Sequence, residues 1–154
     1  MTTTAPRNTT TGTNYETQIY NFLTENHIKN FHSQVVIGKK RNGGVHIVDL
    51  MFDGEVVYKK KRKTPDSLHK GGTLVSLKHQ NSDGTAEEKV PFECMKLQDA
   101  IDDYGYDAAI IVLNGENGWK WKEEYLSERF RKRMKLIAPD VTIISHQDFI
   151  TLYS

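Results

Sequence analysis

Apolar residues recur along this chain with two periods, and the switches between them mark out its elements. Tyr15, Ile19, Phe22 and Leu23 follow Asn14 at helical spacing, Asn14 being suited to a helix N-cap, and this helix is expected to end near His27–Asn30. Gln34–Ile37 and Val45–Phe52 read as strands separated by the turn signal Arg41-Asn42-Gly43-Gly44. Glu55–Lys63 extends a ribbon that Thr64-Pro65-Asp66 breaks, and Gly71-Gly72 leads into a third strand, Thr73–Gln80. After a loop over Asn81–Glu88, a helix is predicted over Pro91–Tyr104, with proline in its first turn. Ala108–Leu113 is apolar without interruption, as a strand covered on both faces requires. Trp119–Ile137, with Leu126, Phe130 and Met134 one turn apart, reads as one helix. Val141–Ile144 is a last strand, and Gln147–Tyr153 a short terminal helix.

The order α-β-β-β-α-β-α-β predicts an α/β fold: a three-strand meander, a crossover helix into a buried strand, and a mixed sheet with helices on both faces. Residues 1–13, with seven threonines and almost nothing apolar, are expected to be a disordered leader. Residues 14–154 are expected to be a single domain carrying a basic ribbon insertion at about 55–70.

Composition narrows the class. Hydrophobic residues make up 37% and charged residues 27% of the 154 positions, enough apolar material for one core. No apolar run approaches the roughly 20 residues that cross a bilayer. The first seven residues lack a secretory stretch, and a lone Cys94 excludes an internal disulfide, so a cytoplasmic setting is expected. The net charge of +1 hides blocks: nine Lys/Arg against four Asp/Glu from Lys39 to Lys70, then four against twelve from Asn81 to Glu128. Such a distribution suits a polyanionic partner, although solvated charged faces are common. No dinucleotide or P-loop glycine motif is present, and the six histidines lack metal-ligand spacing.

Three residues break the apolar pattern where breaking it is expensive. Asp49 sits between Val48 and Leu50, on the face that strict alternation gives to Ile47 and Met51. Lys78 shares a face of the third strand with Ser76 and Gln80, while Glu16 places an acid beside Tyr15 and Ile19. Buried charges need partners. A simple Asp49–Lys78 ion pair would satisfy two of them; two acids and a lysine together make a divalent-cation site with a phosphate-facing amine.

An acid in the first helix, an aspartate in the second strand and an x-x-Lys tripeptide in the third, within α-β-β-β-α-β, resembles the PD-(D/E)XK nuclease superfamily over about residues 14–114. The stretch Ser76-Leu77-Lys78-His79-Gln80 leading into Gly84–Glu93 looks like small restriction and homing endonucleases of bacteria and phages, including the cyanobacterial intron-encoded type. The resemblance implies a restriction-endonuclease-like αβββαβ core. It further implies Mg²⁺-dependent (Mn²⁺ as substitute), site-selective hydrolysis of double-stranded DNA in a bacterial or phage-infected cell. By position, Asp49 matches the metal-bridging aspartate, Lys78 the lysine at the scissile phosphate, and Glu16 the helix acid completing the metal shell.

Ser76 departs from the pattern, standing where the family has its second acid. Glu93, early in the next helix, is the expected replacement as a metal ligand, with Glu88 the alternative and Gln80 a neutral ligand or water holder. Acids at a helix start are also favoured by its dipole, and Glu87 and Glu88 fit that simpler explanation. DNA contacts are expected from Lys39, Lys40, Arg41 and Asn42 on the first hairpin, from Lys59, Lys60, Lys61, Arg62 and Lys63 on the ribbon, and from Lys89. Base reading is expected from Arg41, Asn42 and Arg62. One active site and two strands imply a homodimer or homotetramer. The competing functions are a non-catalytic nucleic-acid-binding module on the same fold and a branched-DNA (junction) resolvase.

Overall fold

The structure, a computed structural model, describes residues 12–60, 62–80, 87–115 and 119–154. Among these residues the strands β1 (Phe31–Lys39), β2 (Val45–Phe52), β3 (Val56–Val57), β4 (Asp66–Ser67), β5 (Thr73–His79), β6 (Ala108–Asn114) and β7 (Val141–Ser145) form one mixed sheet in the order β3-β4-β1-β2-β5-β6-β7, with helices on both faces. Helix α1 spans Gly12–Glu25, beginning two residues before the expected cap at Asn14. Most of the expected leader, residues 1–11, lies outside the described residues. Tyr15, Ile19 and Leu23 of α1 are buried at successive turns, each stabilising the fold by roughly 1.5–3 kcal/mol.

The meander forms as expected: β1 (Phe31–Lys39) pairs antiparallel with β2 (Val45–Phe52), and β2 with β5 (Thr73–His79). Strand β1 outruns the expected Gln34–Ile37 because β2 pairs with it over its whole length. The ribbon's paired strands are shorter than expected. Its strands β3 (Val56–Val57) and β4 (Asp66–Ser67) pair with each other, and β4 runs parallel to β1 at the sheet's outer edge.

A 3-10 turn over Glu87–Lys89 opens into α2 (Val90–Tyr104), which crosses from β5 to the parallel β6 (Ala108–Asn114). Gly105, left-handed at φ 77°, ends α2. The expected helix over 119–137 is instead two, α3 (Lys122–Leu126) and α4 (Glu128–Lys135). Ser127 divides them: its extended backbone leaves the helix while its Oγ accepts from Phe130 N–H and starts the next. A serine side chain that bonds its own backbone competes with helix continuation. Strand β7 (Val141–Ser145) and α5 (His146–Leu152) complete the chain.

Two apolar cores result. One lies between the sheet and α2, α3 and α4, including Met51, Leu74, Cys94, Leu97 and Ile111; the other lies beneath α1 and α5, including Leu50, Phe52, Val75 and Phe149. Among the described residues no helix is long and apolar enough to cross a membrane.

Candidate active site

The site lies where the β2–β5 ladder stops. Its last pair is Leu50 with Val75. One step further, the N–H of Leu77 is taken not by a β2 carbonyl but by the Asp49 carboxylate, Oδ2 accepting at 2.7 Å. The strands part there, and Asp49 fills the opening.

Asp49 does not sit on the face that strict alternation assigned. Val48 and Met51 belong to the core under α2, whereas Leu50 and Phe52 belong to the core under α1. The pleat therefore turns over at Asp49, and the same happens on β1. Phe31 packs on the α1 side while Val35 and Ile37 pack on the α2 side. The reversal on β1 falls at Gln34, which has φ 53°, a left-handed conformation costing a non-glycine residue of order 1 kcal/mol. Ser33 pairs with Leu50 and Val35 with Val48, which sets Gln34 opposite Asp49.

With its strand turned, Asp49 is reached from both faces of the sheet. On the α1 side a cleft of about 540 Å³ brings Asp49, Glu16 and Gln34 together. Glu16 hydrogen-bonds Asp49, and Gln34 Nε2 donates to Glu16 Oε1. On the α2 side a pocket of about 260 Å³ joins Asp49 to Ser76, Lys78, Glu93 and Lys96, and Lys40 and His46 also line it. Lys78 Nζ lies 3.6 Å from Glu93 Oε1, and Lys96 Nζ lies 3.2 Å from the same oxygen. The Ser76 hydroxyl also hydrogen-bonds Glu93.

The electrostatics of the two sides differ. Burial pushes Glu16 up to about 7, aided by the neighbouring Asp49 charge. Burial likewise raises Asp49, against the opposing pull of Leu77 N–H, Glu16 and Lys78. Both shifts favour a proton held between the two acids. Glu93 moves the other way: Lys78 and Lys96, with help from Ser76, overcome its burial and hold it below the usual carboxylate range. Among the described residues no three His, Cys, Asp or Glu side chains converge as a metal cluster. Glu16 and Asp49 form an acid pair, and Glu93 is the counterion of two lysines.

The raised acids carry a stability consequence with a definite sign. A carboxyl whose folded pKa exceeds its unfolded one favours folding while protonated, below about pH 4.5, and that contribution disappears as pH rises through about 7. His46 and His146 are both lowered by burial and act in the opposite direction over the same range, so the comparison must be between variants. In EDTA, Glu16→Gln is expected to gain melting temperature over the parent at pH 7.5 but not at pH 4.5. Divalent cation should raise the parent's melting temperature at the higher pH and leave Glu16→Gln nearly unmoved. Parallel melting curves of the two proteins across pH 4.5–7.5 would contradict the shared proton.

The other expected residues are more dispersed. Gln80 is buried, its Oε1 accepting from Glu87 N–H, and it does not line the Lys78 pocket. Glu87, ascribed above to the dipole of the following helix, instead accepts from the N–H groups of Lys120 and Trp121 and so secures the start of α3. Glu88 is exposed. Of the basic set, Lys40 lines the Lys78 pocket, while Lys39 is exposed at the end of β1 and Lys89 is exposed at the start of α2. Arg41 spans to Asp99 at 3.5 Å and Asp103 at 3.2 Å, and Asn42 Oδ1 accepts from Gly44 N–H within its own turn.

The ribbon folds away from the opening rather than beside it, with β1 and β2 between β4 and β5. There Asp66 ties down Lys59 at 2.8 Å and Arg62 at 2.6 Å, leaving Lys60 and Lys63 exposed. Lys61 lies outside the described residues.

Two members of the site escaped sequence reasoning. Lys96 was legible in principle, three residues after Glu93 on one helix face. Gln34 carried no such signal, since nothing marks a glutamine as left-handed.

Comparison with known proteins bears on the whole chain. A family model described as the PD-(D/E)XK nuclease superfamily domain matches residues 7–154. No curated protein and no solved structure matches.

Proposed function

From the premise that this chain belongs to the PD-(D/E)XK nuclease superfamily, and is thus a nuclease domain acting on nucleic acid, we propose a Mg²⁺-dependent, site-selective endonuclease for double-stranded DNA, of homing or restriction type. The observation that carries this reading is the pairing of Glu16 with Asp49 in the opening between β2 and β5, with Lys78 on its other side.

The donors suit a hard divalent cation. Mg²⁺ is characteristically held by one or two carboxylates, with waters and phosphate oxygens completing its shell. Two acids forced to share a proton gain from a cation that replaces it. Glu16 and Asp49 would hold such an ion, and Lewis-acid activation of the phosphoryl group and of the attacking water is the chemistry it would supply there. Lys78 donates hydrogen bonds to the attacking water and to the phosphoryl oxygens, where negative charge grows as the phosphorus becomes five-coordinate. Glu93 fixes the direction of Lys78, with Ser76 and Lys96 holding that carboxylate in turn. The acid whose usual place Ser76 occupies is thus supplied from α2, in service of the lysine rather than of the metal. Lys40 and Lys96 stand beside the scissile position as phosphate contacts. Cutting both strands with one such site per chain calls for two copies of the protein related by symmetry.

Supercoiled plasmid incubated with the protein should be nicked and then linearised in Mg²⁺ or Mn²⁺ and left intact in EDTA. Retained binding with no cleavage of duplex, single-stranded or branched DNA in either metal would identify a non-catalytic binding module. Faster cutting of four-way junctions than of linear duplex at equal salt would identify a resolvase.

A further inference from the structure

Five non-glycine residues among those described have left-handed backbones. His27, Asn30, Asp53 and His69 lie outside the strands, in the connections where such angles are ordinary; Gln34 lies inside β1. An unfavourable conformation kept within a strand needs a reason in the surrounding structure.

We infer that Gln34 is a positioning residue of the acid pair: its backbone turns the β1–β2 ladder over at Asp49, and its side-chain amide holds Glu16 against that aspartate. The inference rests on reading Glu16 and Asp49 as the cation ligands.

The backbone part follows from the pleat. Side chains along a strand alternate between faces, so one reversed residue sends everything beyond it to the opposite side. Up to Ser33 the alternate positions Phe31, Leu50 and Phe52 face the core under α1, with Met51 between them on the α2 side; beyond Gln34 the positions in step with them, Val35, Ile37 and Val48, face the core under α2. Burial of these residues in both cores holds the reversal in place. Its product is an aspartate aimed along the sheet rather than out of it, within reach of Glu16 on one side and Lys78 on the other. A regular strand would have committed Asp49 to a single face, within reach of Glu16 or of Lys78 but not of both.

The side-chain part follows from the hydrogen bond. Gln34 Nε2 donates to Glu16 Oε1 while Glu16 also bonds Asp49, so the Glu16 carboxyl is held from two directions. Residues that orient a metal ligand in this way typically change metal affinity or activity by roughly 10- to 100-fold when removed.

Two substitutions separate the parts, both made in the full chain. Gln34→Gly accepts the left-handed backbone and deletes the amide. Its melting temperature in EDTA should stay within a few degrees of the parent, while Mn²⁺ binding, followed by loss of the free-ion electron paramagnetic resonance signal, weakens roughly 10- to 100-fold. Gln34→Val cannot adopt the backbone without strain, and should lose both melting temperature and the Mn²⁺ site. A Gly variant that binds Mn²⁺ as tightly as the parent would overturn the side-chain part. A Val variant with parental melting and binding would overturn the backbone part. Asp49→Asn serves as the control: if it binds Mn²⁺ like the parent, the cation site itself has been misassigned, whatever the Gln34 variants do.

Discussion

Asp49→Asn is expected to leave a folded protein that has lost DNA cleavage by about a thousand-fold or more. Asparagine is nearly the same shape, and its side-chain oxygen still accepts the Leu77 N–H that Asp49 now takes at 2.7 Å. What it removes is the charge. A bound cation contributes several kcal/mol of transition-state stabilisation, and each ~1.4 kcal/mol is tenfold in rate. Losing one of only two carboxylates should withdraw most of that. Folding should not suffer, because the substitution removes one of two neighbouring acids whose charges oppose each other. The variant should therefore melt in EDTA at pH 7.5 no lower than its parent. Alanine is the poorer probe, since it leaves the Leu77 N–H without its acceptor at a cost of roughly 1–3 kcal/mol. Single-turnover cleavage of a linear duplex at saturating Mg²⁺ makes the measurement. Asn-variant rates within tenfold of the parent would move the chemistry away from this opening.

Lys78→Met should lower the cleavage step by roughly 10²- to 10³-fold, the usual consequence of deleting one charge-stabilising donor at a developing oxyanion. Methionine keeps the unbranched stem, so packing around β5 changes little. Glu93 would still face Lys96 at 3.2 Å and the Ser76 hydroxyl, which keeps that buried carboxylate from being stranded. Lys78 is not itself a ligand, so Mn²⁺ affinity should barely change. This split between rate and cation binding distinguishes Lys78 from Asp49. A variant that lost both together would show Lys78 holding the site in shape rather than acting on the phosphate.

The sequence made the polar interruptions legible and misjudged their surroundings. Asp49 and Lys78 stood out because charge inside an apolar strand is costly, and the structure places both at one opening. Glu93 was legible as the acid near Ser76, and the two do hydrogen-bond. Its attachments to Lys78 and Lys96, which make it the counterion of two lysines, went unread there. Arg41 and Arg62, expected to read bases, also have acidic partners within the protein that spacing alone did not reveal. Asp99, Asp103 and Asp66 are what answer them. The division at Ser127 was present in the sequence as a serine three residues before Phe130, but the helical spacing of Leu126, Phe130 and Met134 masked it.

Periodicity and composition alone determined the αβββαβ order, the strand pairing of the meander and the identity of the charged residues that had to find partners, because each depends on local spacing or on the cost of burying charge. Only the tertiary structure decided which acids meet. Strict alternation is a local rule, and it fails at Gln34 and Asp49, where two cores on opposite faces of the sheet draw the same pair of strands in opposite directions. A reversal driven by packing on both sides leaves no mark in the residues that undergo it.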